Sequence, residues 1–239
     1  MQDIEEKFKA SKLFAAGHGI REATKELAKR LPIIAETIGG IEGYTRSLKE
    51  QSREQLLKYL FDKVSRLDLE IEEKIKAYSN SEAGKLFFSK AIESALNAEY
   101  GDKQEIFVNA LLNGAQVNVL EDEKLRFIDL IRHLSRVALN VLSVVYEMYD
   151  RLLNDRTSSP QIARREVVSA ARERFQYTPE LTDSALRELK NMGLFSNVLS
   201  WHNPNGAFIS EGTTISEDAF AYTVYTRRFI KFITDSTEV

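Results

Sequence analysis

The chain contains no cysteine, which excludes disulfide scaffolds, thiolate zinc sites, iron–sulfur clusters and thiol nucleophiles. Its three histidines, His18, His133 and His202, lie too far apart for a short paired-histidine metal motif, and neither a metal nor a cofactor is expected. Neither sign of charge dominates. The 33 lysines and arginines stand against 36 aspartates and glutamates, and a net charge of -3 gives no whole-protein field to gather polyanions. Long apolar runs are missing as well: the longest stretch without a charged residue, Asn191 to Ser210, holds Gly193, His202, Pro204 and Gly206, which does not make a bilayer span. No membrane partner is expected. The amino terminus, Met1-Gln2-Asp3-Ile4-Glu5-Glu6, is acidic where a secretory signal is basic and then apolar, so the expected location is the cytoplasm.

Proline is scarce too, and its spacing shows the organisation. Only Pro32, Pro160, Pro179 and Pro204 occur, leaving none from Ile33 to Ser159, which predicts a helical first part. Ile20, Ala23, Leu27 and Leu31 form a short amphipathic helix. Between Gln51 and Tyr78 the residues Leu57, Leu60, Val64, Leu67, Ile71 and Tyr78 recur mostly at three and four, predicting one long helix. Ser79-Asn80-Ser81-Glu82 has capping-box spacing and opens the next helix; further helices are expected over Lys103 to Val119 and Lys124 to Leu134. The reading is a mainly α protein, with a helical bundle over residues 1–123 and a second domain over 124–239.

That second domain has its own punctuation. Ser135 is placed to cap a helix through Leu153. Ser159-Pro160 and Thr178-Pro179 each offer a cap followed by proline at the first helical position, predicting helices 160–175 and 179–192. The second of these buries Leu181, Ala185, Leu189 and Met192 and stops at Gly193. Asn203-Pro204-Asn205-Gly206 supplies turn chemistry between Phe195–Trp201 and Ala207–Ile209, and a third β-prone run, Ala219 to Tyr222, precedes a helix from Thr223. Three helices followed by a small β-hairpin wing is the order of a winged helix.

The chain resembles the abortive-infection alpha proteins, a bacterial family found beside phage and prophage genes with a helical first part and a winged-helix second part. The residues carrying the resemblance are Phe107 to Leu112, Phe127 to Ile131 with Leu134-Ser135, Gly193-Leu194, and Thr223 to Ile230. The last block follows the pattern Thr-x-x-Gly-Arg-x-Phe, with Thr226 where glycine is usual. The resemblance implies a phage-defence or prophage setting and carries no catalytic residue across.

Three functions compete on the residues themselves. In the first, a non-enzymatic binding or adaptor protein captures a protein partner or self-associates, as a homo-oligomer, through its helical domain, and uses the winged helix mainly for protein contact. In the second, a transcriptional regulator reads DNA as a dimer held by the helix 51–78; its nucleic-acid contacts would be Arg164, Arg165, Arg172 and Arg174 on one helix and Arg187 and Lys190 on the next. Charge opposes this, because no lysine or arginine occurs from Asn191 to Thr226, while Glu211, Glu217 and Asp218 do. In the third, Arg126 and His133 lie seven apart on one helical face as the phosphate holder and general base of a helical ribonuclease-like toxin. A helix-end residue satisfying carbonyls is the alternative for His133. Glu72-Glu73 and Glu121-Asp122-Glu123 read as solvated faces or helix starts. Phe195, Trp201 and Phe208 fill the gap under the hairpin or form a contact patch.

Overall fold

Apolar residues recurring every three or four positions, with little proline between them, give a mainly helical protein. The structure, a computed structural model, describes residues 19–32, 48–154, 162–201 and 213–234. Ten helices are placed among the described residues: α1 (Gly19–Arg30), α2 (Leu48–Val64), α3 (Leu69–Asn80), α4 (Glu82–Leu96), α5 (Gly101–Asn113), α6 (Glu121–His133), α7 (Arg136–Asn154), α8 (Arg164–Phe175), α9 (Pro179–Asn191) and α10 (Val224–Ile233). Three strands, β1 (Ile162–Ala163), β2 (Phe195–Trp201) and β3 (Thr213–Tyr222), form an antiparallel sheet of order β1-β3-β2. No described helix is long and apolar enough to cross a membrane.

The described residues divide into two compact units, one up to Arg132 together with those from Lys231, the other from His133 to Ile230. The expected boundary at 123/124 falls at the start of α6, which packs through Phe127, Ile128 and Ile131, all fully buried, and so belongs almost whole to the first unit. The last turn of α10 belongs there too.

In the first unit the expected helix 51–78 is broken. Val64 ends α2, Leu67 is buried in the connection, and Asp68 is extended (φ -68°, ψ 151°) before α3 begins. Neither proline nor glycine marks this break, and the apolar spacing runs straight through it. The next cap is Ser81, two residues after the expected Ser79: its Oγ accepts from the Gly84 amide at 3.0 Å, while the Ser79 hydroxyl bonds back to the Lys76 carbonyl. The core is aromatic. Phe87, Phe88, Phe127 and Phe232 are fully buried, with Phe232 5.9 Å from Phe87 and 5.1 Å from Phe127 between ring centroids. Two asparagines one turn apart on α5 hold the end of α10 beside this cluster. The Asn109 amide donates to the Ile233 carbonyl at 3.0 Å, and the Asn113 amide reaches the Lys231, Phe232 and Thr234 carbonyls at 2.7–3.2 Å. Carbonyls that a helix end leaves without intrahelical donors are thereby satisfied.

Glu72, read from sequence as solvated, is buried between a guanidinium from α1 and an ammonium from its own helix, α3. Arg30 Nε and Nη2 donate to Glu72 Oε2 at 2.8 and 2.5 Å, and Lys76 Nζ sits 2.8 Å from Oε1. Burial pushes this carboxyl up, but the hydrogen bonds from Lys76 and Arg30 outweigh it and hold the group below its ordinary 4.5. A carboxylate with a depressed folded-state pKa stabilises the fold above its unfolded pKa and loses that contribution as the pH falls through 4.5 towards the folded value. Thermal melts from about pH 6 down to pH 3 should therefore show a steeper loss in the wild type than in Glu72→Gln, whose melting point starts lower; parallel profiles would remove Glu72 from the acid response.

The second unit is built by caps that the sequence announces. The Ala138 amide donates to Ser135 Oγ at 3.1 Å, and the Leu181 amide donates to Thr178 Oγ1 at 3.3 Å with Pro179 in the first turn. Gly193 takes φ 77°, and the pair of bonds Gly193 N to Lys190 O (2.9 Å) and Leu194 N to Leu189 O (3.0 Å) closes α9. Helix α8 starts at Arg164, not 160, because Ile162 and Ala163 pair with Phe220 and Ala219 of β3; Ser159-Pro160 lies outside the described residues, as do Ala207–Ile209. On α9 the buried stripe is Thr182, Ala185, Leu186 and Leu189, whereas Leu181 and Met192, expected inside, are 41% and 36% exposed.

Candidate functional site

The turn joining α8 to α9 sets the candidate site. Gln176 ends α8 in the left-handed conformation (φ 59°, ψ 27°), and Thr178 then starts α9. The side chains of the two helices consequently meet, and their charges pair. Arg164 forks onto Asp183, with Nε 2.6 Å from Oδ1 and Nη2 on Oδ2. Arg187 Nε lies 3.4 Å from the Asp183 carbonyl oxygen, and Arg174 pairs with Glu147 of α7 while its guanidinium stands 5.2 Å from the centre of the Phe175 ring. Three of the six expected nucleic-acid contacts are thus held by the protein's own acceptors. Arg165 and Arg172 are exposed, two turns apart on α8, and pair with no described acid, but Glu166 and Glu173 each follow directly in sequence. Lys190 is half-buried at the end of α9. Eleven basic and eleven acidic side chains fall between residues 133 and 230, so the surface potential is a mosaic.

Several polar side chains that sequence reasoning missed complete this unit. Glu188 of α9 accepts from the Ser135 amide and hydroxyl at 2.6 and 2.7 Å, reciprocating the α7 cap across space. Asn140 donates to the Tyr177 hydroxyl at 2.7 Å, and Arg227 reaches the Tyr149 hydroxyl with its guanidinium 5.1 Å from that ring's centre. Thr226 is fully buried and donates to the Leu194 carbonyl; the Thr223 hydroxyl accepts from its amide at 3.0 Å. A hydroxyl here ties α10 to the residue following Gly193. Phe195 is buried, whereas the Trp201 side chain and Phe208 lie outside the described residues.

Arg126 and His133 are exposed on α6, separated by about 10 Å along its axis at 1.5 Å per residue. No described residue hydrogen-bonds the imidazole, so nothing among them orients it as a base. Nor does His133 satisfy the helix-end carbonyls: Lys103 Nζ takes the Arg132 carbonyl at 2.8 Å instead. Behind this helix, Tyr78 donates to Glu121, whose other oxygen lies 2.8 Å from Lys124 Nζ, and that ammonium stands 4.1 Å over the Tyr78 ring. Burial first, then the Glu121 hydrogen bond and charge, push the Tyr78 phenol far up, so its proton stays in place. Among the described residues no three histidine, aspartate or glutamate side chains cluster to hold a metal ion. His18, His202 and Gly39–Gly43 lie outside the described residues. Compared with known proteins, the chain matches no family model, no curated protein and no solved structure.

Proposed function

We propose that this chain is a non-enzymatic adaptor: a helical first unit that captures a protein partner or self-associates, and a winged helix used mainly for protein contact. The element order α7-β1-α8-α9-β2-β3 and the sheet order β1-β3-β2 support the winged-helix reading, with α9 in the recognition-helix position. The bacterial phage-defence or prophage setting rests on the family resemblance. One observation carries the choice of protein over nucleic acid: Arg164 is forked onto Asp183 and Arg174 is paired with Glu147, so the arginines best placed to neutralise phosphate already have acid partners. Neutralising several phosphates requires several uncommitted cations on one face.

Arg165 and Arg172 favour the second reading, a DNA-binding regulator, and give the test. Fluorescence anisotropy with a labelled duplex should show no saturable, salt-sensitive binding. Affinity that falls about a thousandfold or more between roughly 50 and 200 mM salt, and disappears in the Arg165→Glu/Arg172→Glu double variant, would instead establish phosphate contact.

A further inference from the structure

Strand β2 occupies one edge of the sheet, and among the described residues it pairs only with β3. Edge strands of soluble proteins ordinarily carry a lysine, another charge or a proline that discourages pairing with a second chain. β2, reading Phe195-Ser196-Asn197-Val198-Leu199-Ser200-Trp201, has none, and it lies inside the uncharged stretch Asn191 to Ser210. At the opposite edge, β1 is two residues long, too short to template a strand. β3 carries Glu217 and Asp218. In a two-fold pairing each residue near the axis faces its own counterpart, so a charged strand opposes itself while an uncharged one does not. That argument selects a second copy of this chain as the partner and β2 as the contact.

We propose that β2 pairs antiparallel with β2 of a second copy, centred near Val198, joining two three-stranded sheets into one continuous sheet. The residues inserted in the irregular β2–β3 pairing, Glu217 to Ala219, belong to β3, so β2 itself carries no extra residue. At each outer edge β1 covers only Ala219 and Phe220, while the rest of β3 carries Glu217 and Asp218, charges that oppose further pairing. The product is a closed dimer. This contact is independent of whether α9 meets protein or DNA.

The test uses the full chain. Sedimentation velocity over about a hundredfold range of concentration should show a monomer–dimer equilibrium, and hydrogen exchange should show β2 amides gaining protection as the dimer forms. Val198→Lys and Val198→Glu should each weaken dimerisation at least about tenfold through like-charge opposition, and mixing the two variants should restore it. Recovery on mixing cannot arise from lost folding. Should both variants unfold, the exchange measurement on the wild type decides alone. A monomer at every concentration, a dimer whose β2 amides gain no protection, or open-ended aggregates would each overturn the proposal.

Discussion

Phe232→Ala should destabilise the first unit by about 3–5 kcal/mol, the range for emptying a fully buried aromatic site. The ring is fully buried, contacts Phe87 and Phe127, and ends a helix whose last carbonyls are held by Asn109 and Asn113. The cavity has little chance to collapse, because Phe87 already meets Phe88 edge-on at 5.8 Å and Phe127 lies on α6, itself packed along one face. Chemical denaturation followed by circular dichroism gives the magnitude, and amide exchange in α4, α5 and α6 locates it. A loss below about 1 kcal/mol would mean that the end of α10 is no part of that core. Asn113→Ala should cost less, about 1–3 kcal/mol, since it leaves carbonyls unsatisfied without opening an aromatic-sized void.

Gly84→Ala should have a comparable effect with an unusual sign. Glycine to alanine inside a helix ordinarily stabilises by about 1 kcal/mol. Gly84, in the first turn of α4, is buried, and a Cβ there would overlap the backbone carbonyl of Tyr78. That carbonyl accepts from the Ser81 amide at 3.0 Å and from the Ser81 hydroxyl at 2.7 Å, so it is fixed by the same cap that starts the helix. The α3–α4 junction must open to admit a methyl group, and we expect about 3 kcal/mol or more of destabilisation. Gly114→Ala should destabilise as well: its Cβ would meet the Phe87 ring at 2.5 Å, and that fully buried ring is already packed against Phe88 and Phe232. A neutral or stabilising Gly84→Ala, measured in the same melts, would refute the close approach.

What was legible in the sequence is what is decided locally. Ser135, Thr178-Pro179 and Gly193 announce helix boundaries because a cap, a fixed φ and a left-handed turn are properties of a few consecutive residues. The mainly α composition followed from periodicity and scarce proline. What escaped is set by partners far along the chain. The break at Asp68 has no local breaker, and the register of α3 is fixed by Glu72 meeting Arg30, 42 positions away. Asp183 and Glu147 neutralise Arg164 and Arg174 across 19 and 27 positions, so a count of basic residues on α8 overstates its free charge. Leu181 and Met192 looked interior at helical spacing, but the stripe centres on Ala185 and Leu189 and includes Thr182, whose hydroxyl returns to the Thr178 carbonyl at 3.1 Å and is thereby made compatible with burial.

The placement of Phe232 also sets an order in time. Ribosomes make α1 through α6 first, yet the aromatic cluster those helices enclose lacks one ring until residues 133–230 have been added, about 5–20 s later at ordinary elongation rates. The second unit draws its residues from one uninterrupted stretch and needs nothing made after Ile230. Of the two units, the one whose synthesis begins first is therefore the one completed last, and during that interval Phe87 and Phe127 present an incomplete apolar surface to whatever chaperone or neighbouring nascent chain is at hand.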